Sequence, residues 1–274
     1  MGQGMGSIQK RLDLSFLIHI ILYMNIKTAG RTLDLFEIFA GEGRPLRLSE
    51  LAGLVKAPIS SCHQLLRTLE NRGYIYGLQA KSYYPTRRML RNAEAIAVHD
   101  PVLKLLARCM EELRDLAGES VLVAQQSGGQ ALLLEVCESH QSIRYAARPG
   151  SLRPLHCSGV GKALVGAMGS AERDRWLPPA PFPRLTDATL VTRAELDANL
   201  AMSQSRGWYA SLGESVPELS SIAAVLRLGG GVFAVSVAGP TTRFMPRLES
   251  HAASLLTAIG KMQALVANEP AEKS

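Results

Sequence analysis

The chain holds 274 residues, 47% of them hydrophobic and 20% charged, with a mean hydropathy of +0.07. That balance excludes a disordered or collagen-like chain and supplies enough apolar material for two separate cores. The net charge of +6 is unevenly placed: residues 1–90 carry twelve Lys and Arg against six Asp and Glu, whereas the remainder carries eighteen of each.

Residues 12–26, LDLSFLIHIILYMNI, follow Lys10-Arg11 and superficially resemble the basic and apolar regions of a signal peptide. The run is shorter than the about 20 residues that a bilayer requires, contains Asp13 and His19, and has no small-x-small cleavage site after it. Residues 1–27 are therefore expected to be an extra helix or an over-extended start, not a membrane anchor. A domain then opens at Ala29-Gly30-Arg31-Thr32, where Leu33, Leu35, Phe36, Ile38 and Phe39 recur at helical spacing before Gly41 and Gly43.

Residues 48–74, LSELAGLVKAPISSCHQLLRTLENRGY, space their apolar residues as two short helices broken at Ala57-Pro58. Ser49 is expected to cap the first, with Leu51, Leu54 and Val55 on its inner face, and Pro58 to stop it and open the second. In the second, Cys62, Leu65, Leu66 and Leu69 form the inner stripe and Ser60, Ser61, His63, Gln64 and Arg67 the outer face. That face is small, polar and donor-rich, which suits a helix entering a major groove. Gly73 ends the helix, and residues 74–76, a turn at 77–80 and residues 81–84 read as a hairpin. A helix-turn-helix with a two-stranded wing follows, the alternative being an ordinary helical hairpin in a core. The coincidence of the positive charge with this segment favours a module that docks on phosphates.

Asp100-Pro101 marks a helix start, and Val102, Leu105, Leu106, Cys109, Leu113 and Leu116 trace one stripe. Beyond Gly118, residues 121–125, 131–136 and 142–146 read as strands, with Ser127-Gly128-Gly129 as a hairpin turn. A Pro/Gly loop at 148–154, a helix at 158–168, a proline-rich connection, a helix at 193–207, strands at 222–227 and 232–237 and a last helix at 241–267 complete the pattern. Antiparallel strands flanked by helices make an α+β domain with room for a ligand pocket against the sheet. The expected organisation is an extension at 1–27, a winged helix at 28–90, a linker helix at 91–117, a ligand-binding domain at 118–267 and a tail at 268–274.

The four cysteines, Cys62, Cys109, Cys137 and Cys157, stand far apart, with neither Cys-x-x-Cys nor a Cys/His ladder of zinc spacing. Buried thiols in a reducing, cytoplasmic setting are expected, and neither a metal nor a cofactor. Three enzyme readings fail. Gly159-Val160-Gly161-Lys162 lacks the earlier glycine and the following Ser or Thr of a phosphate loop, since His156 and Ala163 stand there. His156-Cys157 has no third orienting group, and Ser220-Ser221 lies in no nucleophile elbow.

Arg31-Thr32-Leu33-Asp34-Leu35-Phe36, Leu48-Ser49-Glu50-Leu51-Ala52 and the run from His63 through Arg72-Gly73-Tyr74 resemble the winged helix of the IclR-type bacterial transcriptional regulators. Arg148-Pro149-Gly150-Ser151, Ser158-Gly159-Val160-Gly161-Lys162-Ala163-Leu164, Arg206-Gly207-Trp208, Ser221-Ile222-Ala223-Ala224 and Ser236-Val237-Ala238-Gly239-Pro240 are similar to that family's effector domain. The resemblance spans residues 29–267, with its motifs in the family order. It implies a GAF-like effector domain, a dimer or a dimer of dimers, and control by small organic or aromatic acids. The pocket it implies here is lined by Tyr145, Arg153, Ser158, Gly159, Val160, Ser211, Ser221 and Ser236. The chain departs from the family pattern at Ser211, where Asp is common, at Ser221, where Cys is common, and at Ala238, where Ser is common. Loss of an acid together with Arg153 favours an anion, because guanidinium pairs bidentately with carboxylate; Arg153 directed to solvent is the alternative.

On the DNA side, relatives often carry Lys where this chain has Ile59 and Arg where it has Gln64. Ser60, Ser61, Gln64 and Arg67 are expected to meet bases or nearby phosphates, and Arg31, Lys56, Lys81 and Arg87 to hold the backbone, with Ser49 and His63 beside them. The function expected is an effector-controlled regulator, a repressor by resemblance, acting on a double-stranded operator. The alternative is a small-molecule-binding protein or enzyme whose winged helix serves protein contacts.

Overall fold

The computed structural model describes residues 26–267. The apolar N-terminal run, apart from Ile26, and the tail expected at 268–274 lie outside the described residues. The chain divides into two compact units, one reaching His99 and one starting at Asp100.

In the first unit, α1 (Lys27–Glu42) buries Leu35 and Phe39 and stops at Gly43, whose φ of 62° supplies a left-handed cap. Strand β1 (Leu46–Arg47) leads into α2 (Leu48–Leu54), and α3 (Ile59–Asn71) follows. Helix α2 starts two residues earlier than a Ser49 cap would set it. Its N-cap is Arg47, whose N–H donates to the Glu50 carboxylate at 2.8 Å, while Ser49 sits exposed in the first turn. The inner face of α2 is Leu51, Ala52 and Val55; Leu54, expected there, is 47% exposed. Cys62, Leu66 and Leu69 of α3 close the core against Leu35, Phe39, Leu46 and Ile75. The wing is β2 (Ile75–Leu78) paired antiparallel with β3 (Ser82–Pro85), and β1 joins β3 to make three strands.

Helix α4 (Arg88–Val98) closes this unit and α5 (Pro101–Ala117) opens the next, so the linker helix expected over 91–117 is two helices separated at His99–Asp100. Asp100 caps α5 by accepting from the N–H groups of Val102 and Leu103. The α5 stripe is Leu106, Cys109, Met110 and Leu113; Leu116, expected in it, is 64% exposed.

The second unit is built on β4 (Ser120–Ser127), β5 (Gln130–Cys137), β6 (Leu152–Pro154), β7 (Tyr209–Leu212), β8 (Leu219–Leu228) and β9 (Gly231–Pro240), in the spatial order β6-β5-β4-β9-β8-β7. All pairings are antiparallel. Alternation divides the side chains between two faces. Val121 and Val123 of β4 join Ile222, Val235 and Val237 under α5 and the last helix, Leu248–Ala267. Leu122 and Ala124 join Leu133, Ala223 and Ala234 under helix Gly159–Ala167 and helix Arg193–Arg206. In chain order the remaining helices are α6 (Gly159–Ala167), α7 (Ser170–Trp176), α8 (Arg193–Arg206), α9 (Thr241–Phe244) and α10 (Leu248–Ala267).

The strand expected at 142–146 is absent. That segment is an irregular connection whose carbonyls are held by side chains: Ile143 O accepts from Arg243 and Tyr145 O from Ser120. Among the described residues no helix is long and apolar enough to cross a membrane.

Candidate functional site

The first candidate surface lies on α3. Its buried stripe leaves Ser60, Ser61, His63, Gln64 and Arg67 exposed together, with Ile59 59% exposed at the helix start. Arg31 reaches from α1 to the turn between the two helices, where its Nη2 donates to Lys56 O at 3.4 Å. Lys56 holds a left-handed φ of 51°, and Lys81, at the end of the wing turn, one of 55°. Arg87 is exposed just beyond β3, and Ser49 is exposed on α2. Among the described residues of this unit, the ion pairs Arg44–Glu42 and Arg44–Glu50 leave Arg31, Lys56, Arg67, Lys81 and Arg87 unpaired. Sequence reasoning missed Arg47 and Arg72, which are also exposed at the ends of helices, because nothing in their spacing separates them from solvated cations.

The second candidate site lies at the N-terminus of α6. Tyr145, Arg153, Ser158, Gly159, Val160, Ser221 and Ser236 line one cavity, closed by Leu122, Leu133, Ser215, Leu219 and Ala238. Its free volume is about 20 Å³, room for a water molecule or two. Ser211 is not in the lining. It is buried beside it, and its hydroxyl donates to Cys157 O at 2.6 Å.

Ser158 caps α6 by accepting from Gly161 N–H at 3.1 Å and donates to Pro154 O at 2.6 Å. The N–H groups of Gly159 and Val160, in the first turn, have no acceptor within the helix and meet the positive end of its dipole. Gly159 is there for contact: a Cβ on it would lie 2.6 Å from Ser221 Oγ, and one on Gly161 2.6 Å from Leu155 Cα. These glycines seat the helix on β8 and on the turn after β6. Ser236 is spent on Ile222 O at 2.8 Å.

Arg153 on β6 is half-buried and turned to the cavity, where its Nε donates to Tyr145 Oη at 2.8 Å and its Nη1 to Leu152 O at 2.8 Å. The cavity therefore collects a guanidinium, helix N–H donors and serine hydroxyls, with no carboxylate in its lining.

One turn along α6, Lys162 is fully buried, and its Nζ donates to Glu214 at 2.6 Å and to Ala210 O at 3.0 Å. Burial pushes the lysine below and the glutamate above their ordinary values. Neither residue was picked out by motif, although a lone lysine among the small apolar residues of Gly159–Ala167 is the available signal. Thr186 and Thr189 hold Gly213 O and Glu214 O on the same loop, which carries Ser215 into the cavity wall. Cys157 is buried and its thiol is pushed up to about 12, the opposite of an activated nucleophile. Burial also holds His156 below its ordinary value.

Residues 94–263 match the family model described as Bacterial transcriptional regulator IclR C-terminal, and residues 28–78 match the IclR helix-turn-helix domain. The HTH-type transcriptional regulator BhcR of Paracoccus denitrificans is 29% identical over 221 residues, which covers 80% of this chain and 79% of the relative. The HTH-type transcriptional repressor AllR of Escherichia coli strain K12 is 27% identical, covering 78% of this chain and 80% of the relative. A transcriptional regulator from Rhodococcus sp. RHA1 superposes with a TM-score of 0.75 at 21% identity, over 89% of this chain and 99% of the other. An IclR homolog from Microbacterium hydrocarbonoxydans, complexed with 4-hydroxybenzoate, superposes with a TM-score of 0.74 at 20% identity, over 88% of this chain and 99% of the other.

Proposed function

The chain belongs to the IclR family of bacterial transcriptional regulators, and from that premise we propose that it is a repressor whose operator binding is set by a small aliphatic carboxylate in the α6 cavity. The observation that carries the effector class is Arg153, turned to the cavity beside the free N–H groups of Gly159 and Val160. Guanidinium and helix N-terminus both favour an anion, and the lining offers no acid to repel one. The volume favours a compact acid, because each further carbon displaces buried wall, and close-packed walls resist displacement. The Microbacterium relative was solved with an aromatic acid; for this chain an acid of two to four carbons fits the space with less displacement.

On DNA, α3 supplies Ser60, Ser61, Gln64 and Arg67 to base edges, and Arg31, Lys56, Lys81 and Arg87 grip phosphates, in two copies on a palindrome. The effector acts by binding the operator-competent and operator-incompetent arrangements with different affinity. Repression is suggested by the AllR relatives, which are named transcriptional repressors. A cytoplasmic location follows from acting on chromosomal DNA in a bacterium.

Calorimetric titration with glycolate, pyruvate, succinate and 4-hydroxybenzoate tests the pocket. The best aliphatic acid is expected to bind more tightly than the aromatic one, and Arg153→Ala to weaken it about 10- to 150-fold, the equivalent of a charged hydrogen bond of about 1.5–3 kcal/mol. Unchanged affinity in Arg153→Ala refutes the assignment. A gel shift with the DNA upstream of its own gene, followed by footprinting, tests the other half, and a protected palindrome is expected.

A further inference from the structure

We propose that Ser139 and Arg243 couple the effector cavity to α5, by tying the loop that carries Tyr145 to the C-terminal end of that helix; the proposal rests on the pocket reading above. The cavity admits a water or two, so an acid can enter only if part of its wall gives way. Most of the wall is poorly placed to yield. Leu122, Val160 and Ala238 are buried in the core under α6 and α8, and the loop carrying Ser215 is fastened by Lys162 to Glu214 and by the Thr186 and Thr189 hydroxyls.

The connection 138–147 differs. It has neither helix nor strand, residues 140–144 are exposed, and it delivers Tyr145 to the cavity, where the phenol accepts from Arg153. A carboxylate that recruits the Arg153 guanidinium acts directly on this contact.

That same connection is bonded to residues 118–120, which join the cap of α5 to the start of β4, directly through Ser120 and Gly118 and indirectly through Arg243 of α9. Ser120 Oγ donates to Tyr145 O at 2.7 Å and accepts from Ser139 N–H at 3.0 Å. Ser139 Oγ donates to Gly118 O at 2.7 Å, the cap residue of α5. Arg243 grips buried Glu119 through both carboxylate oxygens, at 2.6 and 2.8 Å, and its Nη2 also donates to Ile143 O at 3.0 Å. Arg144–Glu138 and His140–Asp115 lie along the same stretch. Displacement of Tyr145 must therefore break these bonds or carry Gly118 and Glu119 with it. Helix α5 is the first element of the effector unit and follows the helix-turn-helix unit directly in the chain.

The test measures operator affinity by fluorescence anisotropy with and without saturating pyruvate, together with calorimetric pyruvate affinity, for the full chain and its variants. In the wild type pyruvate is expected to change the operator Kd by about tenfold or more, within the usual range of coupling. In Ser139→Ala, and in the doubly neutral Glu119→Gln/Arg243→Gln, which leaves no lone buried charge, pyruvate affinity is expected to stay within about threefold and the change in operator Kd to fall below about threefold. The Ser139→Ala variant guards against misfolding of the other. Intact pyruvate binding with undiminished coupling in both variants overturns the relay alone. A wild type that binds none of the four acids overturns the carboxylate reading, and the relay with it.

Discussion

Gly159 touches Ser221 so closely that the position of α6, and with it the direction of the cavity-facing N–H groups, depends on a missing methyl. A Cβ there would lie 2.6 Å from Ser221 Oγ and 3.4 Å from Ser221 Cβ, so the hydroxyl must turn away or the helix must shift. Gly159→Ala is expected to cost about 1–3 kcal/mol of stability, as overpacking does, and to abolish acid binding. Adding Ser221→Ala removes the struck oxygen and should recover part of the stability in a denaturant titration; no recovery would place the cost elsewhere. At the DNA surface the contrast is between reading and gripping. Gln64 is exposed on the face of α3 that carries Ser60, Ser61 and Arg67, whereas Lys81 stands on the wing turn. Gln64→Ala should relax one base position per half-site by about 1–3 kcal/mol, and Lys81→Ala should weaken all duplexes alike. Anisotropy on matched specific and random DNA separates them, and equal losses for Gln64→Ala would contradict its role. The pocket residues were legible only through the motifs that carry them. Ser211, assigned to the lining by the family pattern, lies outside it: its register partner Ser221 faces the cavity while its own hydroxyl turns to Cys157 O. Glu214 was invisible because its partner Lys162 lies far away in the chain and only the fold brings them together.

Elements with local stop and start signals were readable, and those defined by distant partners were not. Asp100-Pro101 and Gly118 bound α5, Thr192 with Glu195 opens α8, and Gly207 closes it, because caps are written within a few residues of each end. Asp100→Ala should accordingly cost about 1 kcal/mol, and hydrogen exchange should show faster opening confined to the first turn of α5. Protection unchanged there would mean that packing, not the cap, holds that end. The break between α4 and α5 escaped notice because no residue of α4 is buried to give it a phase of its own: Ile96 is 73% exposed and Val98 and Leu90 are also open. The short strands β1, β6 and β7 likewise have too few residues to establish a period, and they exist because β3, β5 and β8 offer them a ladder. Residues 142–146 alternate as a strand should, yet their carbonyls are taken by Ser120 and Arg243, which sequence order cannot foretell.

At the scale of the whole molecule, two buried imidazoles and one lopsided charge distribution set how the protein responds to solution conditions. His156 packs on Phe182 and donates to or accepts from nothing charged, and His251 packs on Phe244, facing Arg247 and Glu119, with no hydrogen-bond partner on either ring nitrogen. Burial lowers both below the ordinary 6.5, so the neutral forms belong to the native state. Stability is then full above that value and is lost as pH falls through the lowered native values, by up to about 1.4 kcal/mol per pH unit for each ring. The melting temperature should drop between pH 7 and pH 5, and His251→Phe should flatten the drop; an equally steep profile in that variant would assign the effect to other groups. Ionic strength acts on the other unit. The whole +6 sits in residues 1–90, but α3 exposes Ile59 at its N-terminus, so the proposed DNA docking assigns phosphate binding to Arg31, Lys56, Lys81 and Arg87 around it. Four contacts per copy, in two copies on a palindrome, release about eight counterions, and the log–log dependence of operator affinity on salt should have a slope of about −7. Lys81→Ala removes one contact from each copy and should flatten it to about −5.5. A wild-type slope nearer −3, or no change in the variant, would mean that the cations around α3 stay solvated and that base contacts alone hold the operator.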